Sequence, residues 1–390
     1  LESKETRAML DNTADNRWDR RTFLQSVSAL GLAAALPSIA EPAEAAEPPA
    51  DVKGADLKTP SGKPLRGLYP IMQTPFTADD KLNTDALANE VAFINRGRVN
   101  GMIWPVFASS WSSLSDAERI LGAETILAAN KGGKSAVAIA VQNTAWDIPT
   151  SIRYAKHAAA HGADAIAAMP PNNGWNVTDD AIVDYYKQIA AATDLPLIVQ
   201  TRGTVSVDCM LRMFKEIPTM KATKDEVGDT LARATQLIKG TDNKLAVWAA
   251  GGGTGTQLLE SLPIGIVGLC PTPQVADLLQ QVMDLYWAGK KREAFDMFGR
   301  VQALATIPGA IEYLMVARGV FPEGTKSRPQ PMEPEARAGG GGGGGARAAG
   351  GGAGGGGAAG GRGGAASLTD KDKEAIHYAL DFYLKPYLRG

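Results

Sequence analysis

The sequence predicts an α/β fold of the (β/α)8, or TIM-barrel, class with additional helices at its carboxyl end. Three observations carry that expectation. Short apolar runs of strand character alternate with longer amphipathic segments from Leu68 onward, eight such units fit between Leu68 and Ala288, and 44% hydrophobic but only 6% aromatic residues provide a core of small aliphatics. Alternation of this kind argues for parallel strands joined by crossover helices. Eight units close into a barrel more naturally than they extend an open doubly wound sheet. The chain of 390 residues has room for two domains, but barrels of about 250 residues commonly fold as one.

The expected strands run over 68–73, 102–106, 136–141, 165–169, 197–201, 221–224, 245–249 and 266–269. Helical patterns lie between them over 85–95, 115–130, 148–161, 179–193, 207–216, 229–238, 256–262 and 273–288. Ser115 followed three residues later by Glu118 is a capping-box signature at the start of one helix. Two further helices, over 292–305 and 310–318, complete a barrel domain spanning 65–337. Residues 338–366 are nearly all Gly and Ala with a few Arg, a composition too poor in apolar bulk to offset its ordering entropy, and are expected to form a disordered surface insertion. A last amphipathic helix, through Ala375, Ala379, Phe382 and Tyr383, is expected to bring 367–390 back onto the barrel domain.

The amino-terminal segment has the order of a bacterial export signal. Arg20 and Arg21 precede Phe23 and Leu24, an apolar small-residue stretch covers 27–36, and Ala43-Glu44-Ala45 offers a cleavage site. The paired arginines resemble the twin-arginine type, and the apolar run is too short to span a bilayer. Residues 1–46 are thus expected to be a signal and 47–64 a flexible lead-in. The expected destination is periplasmic or secreted, with no membrane association after cleavage.

A formal net charge of −2 leaves no basic excess for neutralising a phosphate backbone, so nucleic acid is not an expected partner. Cys209 and Cys270 lie in different βα units without the paired spacing of a zinc site. His157 and His161 are four apart and face one side of a helix, but no glutamate stands between them in the HExxH position, so an ordinary helix surface is expected. Neither a metal nor an organic cofactor is implied.

Several segments in order resemble the dihydrodipicolinate synthase and N-acetylneuraminate lyase family. They are Gly67-Leu68-Tyr69-Pro70 through Thr74-Pro75-Phe76, Gly101-Met102-Ile103, Leu114-Ser115-Asp116-Ala117-Glu118-Arg119, His161-Gly162-Ala163-Asp164-Ala165, Thr193-Asp194-Leu195-Pro196-Leu197, and Lys224-Asp225-Glu226-Val227-Gly228-Asp229. The resemblance implies a (β/α)8 barrel that uses a lysine Schiff base, and Lys224 falls on the family's lysine position at the end of the sixth strand. A lysine there points into the barrel mouth, where burial disfavours the ammonium form and the free amine can attack a ketone. The plainer reading makes Lys224 a strand-end charge paired to Asp225 or Glu226.

The rest of the family pattern is altered. Where the family places Gly-Thr-Thr-Gly-Glu to hold a substrate carboxylate, this chain has Val106-Phe107-Ala108-Ser109-Ser110, leaving Ser109 and Ser110 as candidate donors. Gln200 replaces the tyrosine that relays protons after the fifth strand, and Pro170-Pro171-Asn172-Asn173-Gly174-Trp175 replaces a second tyrosine region. Arg202 is a candidate bidentate partner for a carboxylate. Trp104, Trp111, Trp175 and Trp248 either wall a sugar-like ligand or pack. The glycine-rich 251–256 stretch reads either as a phosphate cradle or as a tight turn.

The leading function is a Schiff-base-forming lyase or aldolase acting on a 2-keto acid or keto-sugar acid, with Lys224 as nucleophile and Ser109, Ser110, Gln200 and Arg202 binding substrate. The alternatives are a sugar-acid dehydratase working through the same imine, and a catalytically impaired exported barrel that binds a small organic or sugar acid. The iminium itself serves as electron sink, so no cofactor is expected. The resemblance also implies a homo-oligomer.

Overall fold

The computed structural model describes residues 56–249, 254–304, 306–307, 310–328 and 368–389. The expected export signal, the 338–366 insertion and the 251–253 glycines lie outside the described residues.

Eight parallel strands form one sheet. They are β1 (Gly67–Leu68), β2 (Gly101–Trp104), β3 (Ala136–Ala140), β4 (Ala165–Ala168), β5 (Leu197–Gln200), β6 (Met220–Lys224), β7 (Ala246–Ala249) and β8 (Gly268–Leu269). Each pairs with its sequence neighbour from β2 to β8, and β8 pairs with β1. Closure is completed where Ile71 bridges Ile103, with Met72 N donating to Ile103 O and Ile103 N to Pro70 O, both at 3.0 Å. The expected β1 over 68–73 is thereby divided: Pro70 has no N–H for the ladder, so regular pairing stops before it and resumes as a bridge.

The strand pleat sorts the core into two layers. Ala136, Ala138 and Ala140, with Ala165, Ala167, Ile198, Ala222, Ala246 and Trp248, belong to one buried cluster, while Val137, Ile139, Ile166, Val199 and Val247 join the layer beneath the helices. This period-two segregation puts mainly alanines, with Ile198 and Trp248, inside the barrel and mainly branched side chains outside. Tyr69 and Trp248 supply much of the filling, with ring centroids 4.4 Å apart, and the Trp248 indole N–H donates to Leu65 O at 3.3 Å.

The surrounding helices are α1 (Thr84–Arg96), α2 (Asp116–Ala129), α3 (Ile148–Ala160), α4 (Asp179–Ala190), α5 (Val207–Glu216), α6 (Thr230–Gly240), α7 (Leu258–Ser261) and α8 (Ala276–Trp287). Asn83, Ser115, Asp147, Thr178, Ser206 and Asp229 each cap the first six by accepting from a backbone N–H in the first turn. These caps satisfy otherwise orphaned donors and fix where each βα loop ends at the barrel mouth. The seventh helix is shorter than expected because Pro263 lies in the tight turn Leu262–Ile264 that follows it.

Three more helices, α9 (Lys291–Leu304), α10 (Ala310–Ala317) and α11 (Asp370–Ala379), follow. Ile376, Leu380 and Leu384 are buried in the main core, Gln281 Nε2 donates to Tyr387 O at 2.7 Å, and Arg389 N donates to Asp277 at 3.0 Å. The carboxyl segment therefore packs on the α8 side of the barrel. At the opposite end of the chain, the described part of the lead-in is held in place. Lys58 bridges Pro64, Lys63 Nζ lies 3.0 Å from Asp164, and Ser61 hydrogen-bonds the same carboxylate.

Candidate active site

Lys224 is the last residue of β6 and shares the inward parity of Ala222. Register places it between Gln200 on β5 and Trp248 on β7, and it is only 6% exposed. Its Nζ lies 2.9 Å from Glu226 Oε1. Residues two apart at a strand end face the same side, so Glu226 and not Asp225 meets the amine. Gln200 Nε2 donates to the other Glu226 oxygen. Gln200 thus holds a carboxylate beside the lysine.

Asp225 turns away from the lumen and anchors the strand end. Arg233 of α6 grips it with Nε at 2.7 Å and Nη2 at 3.1 Å, and the Thr201 hydroxyl donates to it as well. The same hydroxyl oxygen accepts from Glu226 N at 2.9 Å. The Lys224-Asp225-Glu226 stretch is therefore positioned by β5 on one side and α6 on the other.

Burial by itself would raise the Glu226 carboxyl, but the Lys224 charge and hydrogen bond, the Gln200 amide and the Arg202 charge together hold it below the ordinary glutamate value. Glu226 is thus an anion at neutral pH, available to accept a proton. Cys270, buried in the lumen cluster, is pushed up to about 12 by burial, with Lys224 pulling down and Glu226 pushing up. It is a thiol at neutral pH and no rival nucleophile.

The remaining expected residues divide. Arg202 reaches the mouth, with its guanidinium carbon 3.7 Å above the centre of the Phe107 ring, so the loop after β5 meets the loop after β2. Ser109 is fully buried, with Oγ accepting from Val106 N at 3.2 Å. Its Oγ thereby stabilises its own turn, with the side chain enclosed. Ser110 is partly exposed, in the left-handed region at φ 54°. The tryptophans mostly pack. Trp104 donates to Thr74 at 3.0 Å and its ring occupies the space a Cβ on Gly122 would need; Trp111 is buried against Trp146; Trp248 fills the lumen. Trp175 alone of the four is half-buried.

Two participants escaped the sequence reading. Glu226 was visible only as one of two acids after Lys224, and strand parity was the signal that distinguishes them. Thr74 donates to Ser109 O while accepting from Trp104, and so ties the segment after the first strand to the loop after the second.

The chain matches the Dihydrodipicolinate synthetase family across residues 64–324. Among similar proteins, a 4-hydroxy-tetrahydrodipicolinate synthase from Chlorobium phaeovibrioides is 24% identical over 71% of this chain and 95% of its own length. One of the same name from Methanosarcina mazei is 26% identical over 45% of this chain and 60% of its length. An Escherichia coli (strain K12) protein described as a probable 2-dehydro-3-deoxy-D-pentonate aldolase is 30% identical over 35% of this chain and 44% of its length. The last two matches cover less than two thirds of those relatives. Among solved structures, an E. coli K12 prophage protein of the dihydrodipicolinic acid synthase family, in complex with pyruvate, superposes with a TM-score of 0.61 at 17% identity, covering 81% of this chain and 98% of that one. N-acetylneuraminate lyase from Mycoplasma synoviae superposes with a TM-score of 0.59 at 19% identity, covering 83% and 98%. These two likenesses bear on the fold, whereas the family match covers well over half of the sequence. The chain therefore belongs to the dihydrodipicolinate synthetase family.

Proposed function

We propose that this protein is a Schiff-base-forming lyase or aldolase acting on a 2-keto acid or keto-sugar acid, with Lys224 as nucleophile and Glu226 as its proton-transfer partner. The observation that carries the proposal is the enclosed Lys224–Glu226 pair, 2.9 Å apart, at the carboxyl end of a barrel strand, where the βα loops build active sites in this architecture. Glu226 takes a proton from the Lys224 ammonium as the ketone arrives, and the freed amine adds to the carbonyl carbon, its second proton passing to the carbonyl oxygen to give the carbinolamine. Glu226 then returns the proton it took to the carbinolamine hydroxyl, which leaves as water, so ammonium and ketone become a protonated imine and water. The iminium withdraws electrons from the adjacent carbon and allows the neighbouring C–C bond to break or form. Arg202 supplies a fixed positive charge at the mouth for the substrate carboxylate. Support for a keto-acid substrate comes from the names of the relatives and from the pyruvate in the prophage protein's structure.

Export to the periplasm is proposed on the Arg20-Arg21 segment alone. The covalent mechanism is tested by incubating the protein with pyruvate and longer 2-keto acids, reducing with borohydride and mapping the product by mass spectrometry. A reduced adduct on Lys224, lost in Lys224→Ala, is the expected result. Stabilisation by such acids with no adduct on any lysine would favour instead a barrel that only binds.

A further inference from the structure

We propose that Glu124, His157 and His161 form a site for a divalent late transition-metal ion, with Zn²⁺ the natural probe, on the outside of the barrel. The site is separate from the lumen. Because β2 pairs with β3, the helices that follow them, α2 and α3, are neighbours. Their stagger is fixed near the start of α2, where Asp116 accepts from the Tyr154 hydroxyl at 2.6 Å and pairs with Arg153. Two helical turns further along α2, Glu124 comes level with the last turn of α3. The two histidines alone, four apart in sequence, gave no third ligand; the barrel topology provides it from the preceding helix.

The geometry suits coordination. Glu124 Oε1 lies 3.0 Å from His157 Nε2 and 3.7 Å from His161 Nε2, and the donor atoms of the three residues all fall within 4.8 Å of one another. A tetrahedral ion with bonds of about 2.0–2.1 Å sets its ligand atoms about 3.3 Å apart, a value between the two measured separations. The imidazole rings are 4.1 Å apart, centre to centre.

Two features outside the ligand atoms favour a cation here. His161 Nδ1 lies 2.8 Å from His157 O, so Nδ1 carries a proton and donates it, which leaves Nε2, on the side of Glu124, as the ring nitrogen free to take a metal ion. Such an outer hydrogen bond commonly fixes the tautomer of a metal-bound histidine. His161 also caps the carboxyl end of α3, where the carbonyl dipoles favour positive charge. Two imidazoles and one carboxylate suit Zn²⁺, Ni²⁺ or Co²⁺ better than Ca²⁺ or Mg²⁺. Three protein ligands leave a position for water, consistent with side chains that are 18%, 43% and 45% exposed at His157, His161 and Glu124.

The test is calorimetric titration of the untagged, chelator-treated full chain with Zn²⁺, repeated with Co²⁺ to read ligand-field absorption. Binding of one ion per chain is expected, weakened by at least about tenfold in each of His157→Ala, His161→Ala and Glu124→Gln, since even outer-sphere partners carry 10–100-fold effects. His377→Ala, a substitution on α11, should bind as the unaltered chain does. Unfolding midpoints without metal establish that each variant is folded. Absence of stoichiometric binding, or binding unchanged in the folded His157→Ala/His161→Ala variant, would overturn the proposal.

Discussion

Arg233→Met removes the guanidinium that holds Asp225 and leaves most of the aliphatic stem. Asp225 is 1% exposed and Arg233 13% exposed, so the variant leaves a buried carboxylate with only the Thr201 hydroxyl, among the described residues, to satisfy it. Breaking a buried ion pair from one side costs roughly 3–5 kcal/mol; the partial exposure of Arg233 favours the lower end. A loss of about 3 kcal/mol lowers the folding equilibrium constant by a factor of ~150, and urea unfolding should show it as a reduced midpoint with an unchanged slope. The double variant Asp225→Asn/Arg233→Met should recover most of the loss, because the orphaned charge is gone. Since Asp225 lies between Lys224 and Glu226, Arg233→Met should also slow formation of the keto-acid adduct. A loss below about 1 kcal/mol, the range of an exposed pair, or a double variant no better than the single one, would refute the anchoring role.

Three other substitutions probe the surroundings. Glu90 is buried, with one oxygen accepting from Gln73 N at 2.9 Å and the other without a partner among the described residues; burial lifts its carboxyl well above the ordinary glutamate range, against the pull of that hydrogen bond. The folded chain therefore keeps a proton that the unfolded chain releases, and stability falls as pH rises above the unfolded value, by up to about 1.4 kcal/mol per pH unit. Glu90→Gln should remove this slope and be the more stable protein near neutrality, as read by thermal unfolding across pH; an unchanged slope would contradict it. Gly203→Ala combines φ +66° with a Cβ 2.4 Å from the Gly174 carbonyl carbon, whereas Gly228→Ala has φ +54° and open space. The first should cost a few kcal/mol and the second about 1; equal losses in melting temperature would show that the two loops do not need their close approach.

The barrel was legible because its strands are short, apolar and separated by helices whose caps, such as Ser115 and Thr178, stand in the sequence. The division of β1 at Pro70 and the shortening of the seventh helix near Pro263 follow from known residues, yet apolar pattern alone obscured them. Lys224 could be placed because a strand end is a position as well as a residue. Its partner could not be chosen until strand parity sent Asp225 outward and Glu226 inward. The turn that encloses Ser109 could not be read, because the fate of a loop hydroxyl depends on the turn it occupies, and neither that turn nor the left-handed Ser110 leaves a periodic trace. The Arg202–Phe107 contact and the Glu124–histidine group join residues from successive or distant units, brought together only by the closed sheet.

The most direct measure of the Lys224–Glu226 account is deuterium uptake at the carbon next to the keto group when pyruvate or a longer 2-keto acid is held with the protein in heavy water and followed by NMR. The account predicts catalysed uptake by the unaltered chain, none above background with Lys224→Ala, and a strong reduction with Glu226→Gln, which should also form the reducible adduct more slowly. Uptake that persists undiminished in Lys224→Ala would contradict it.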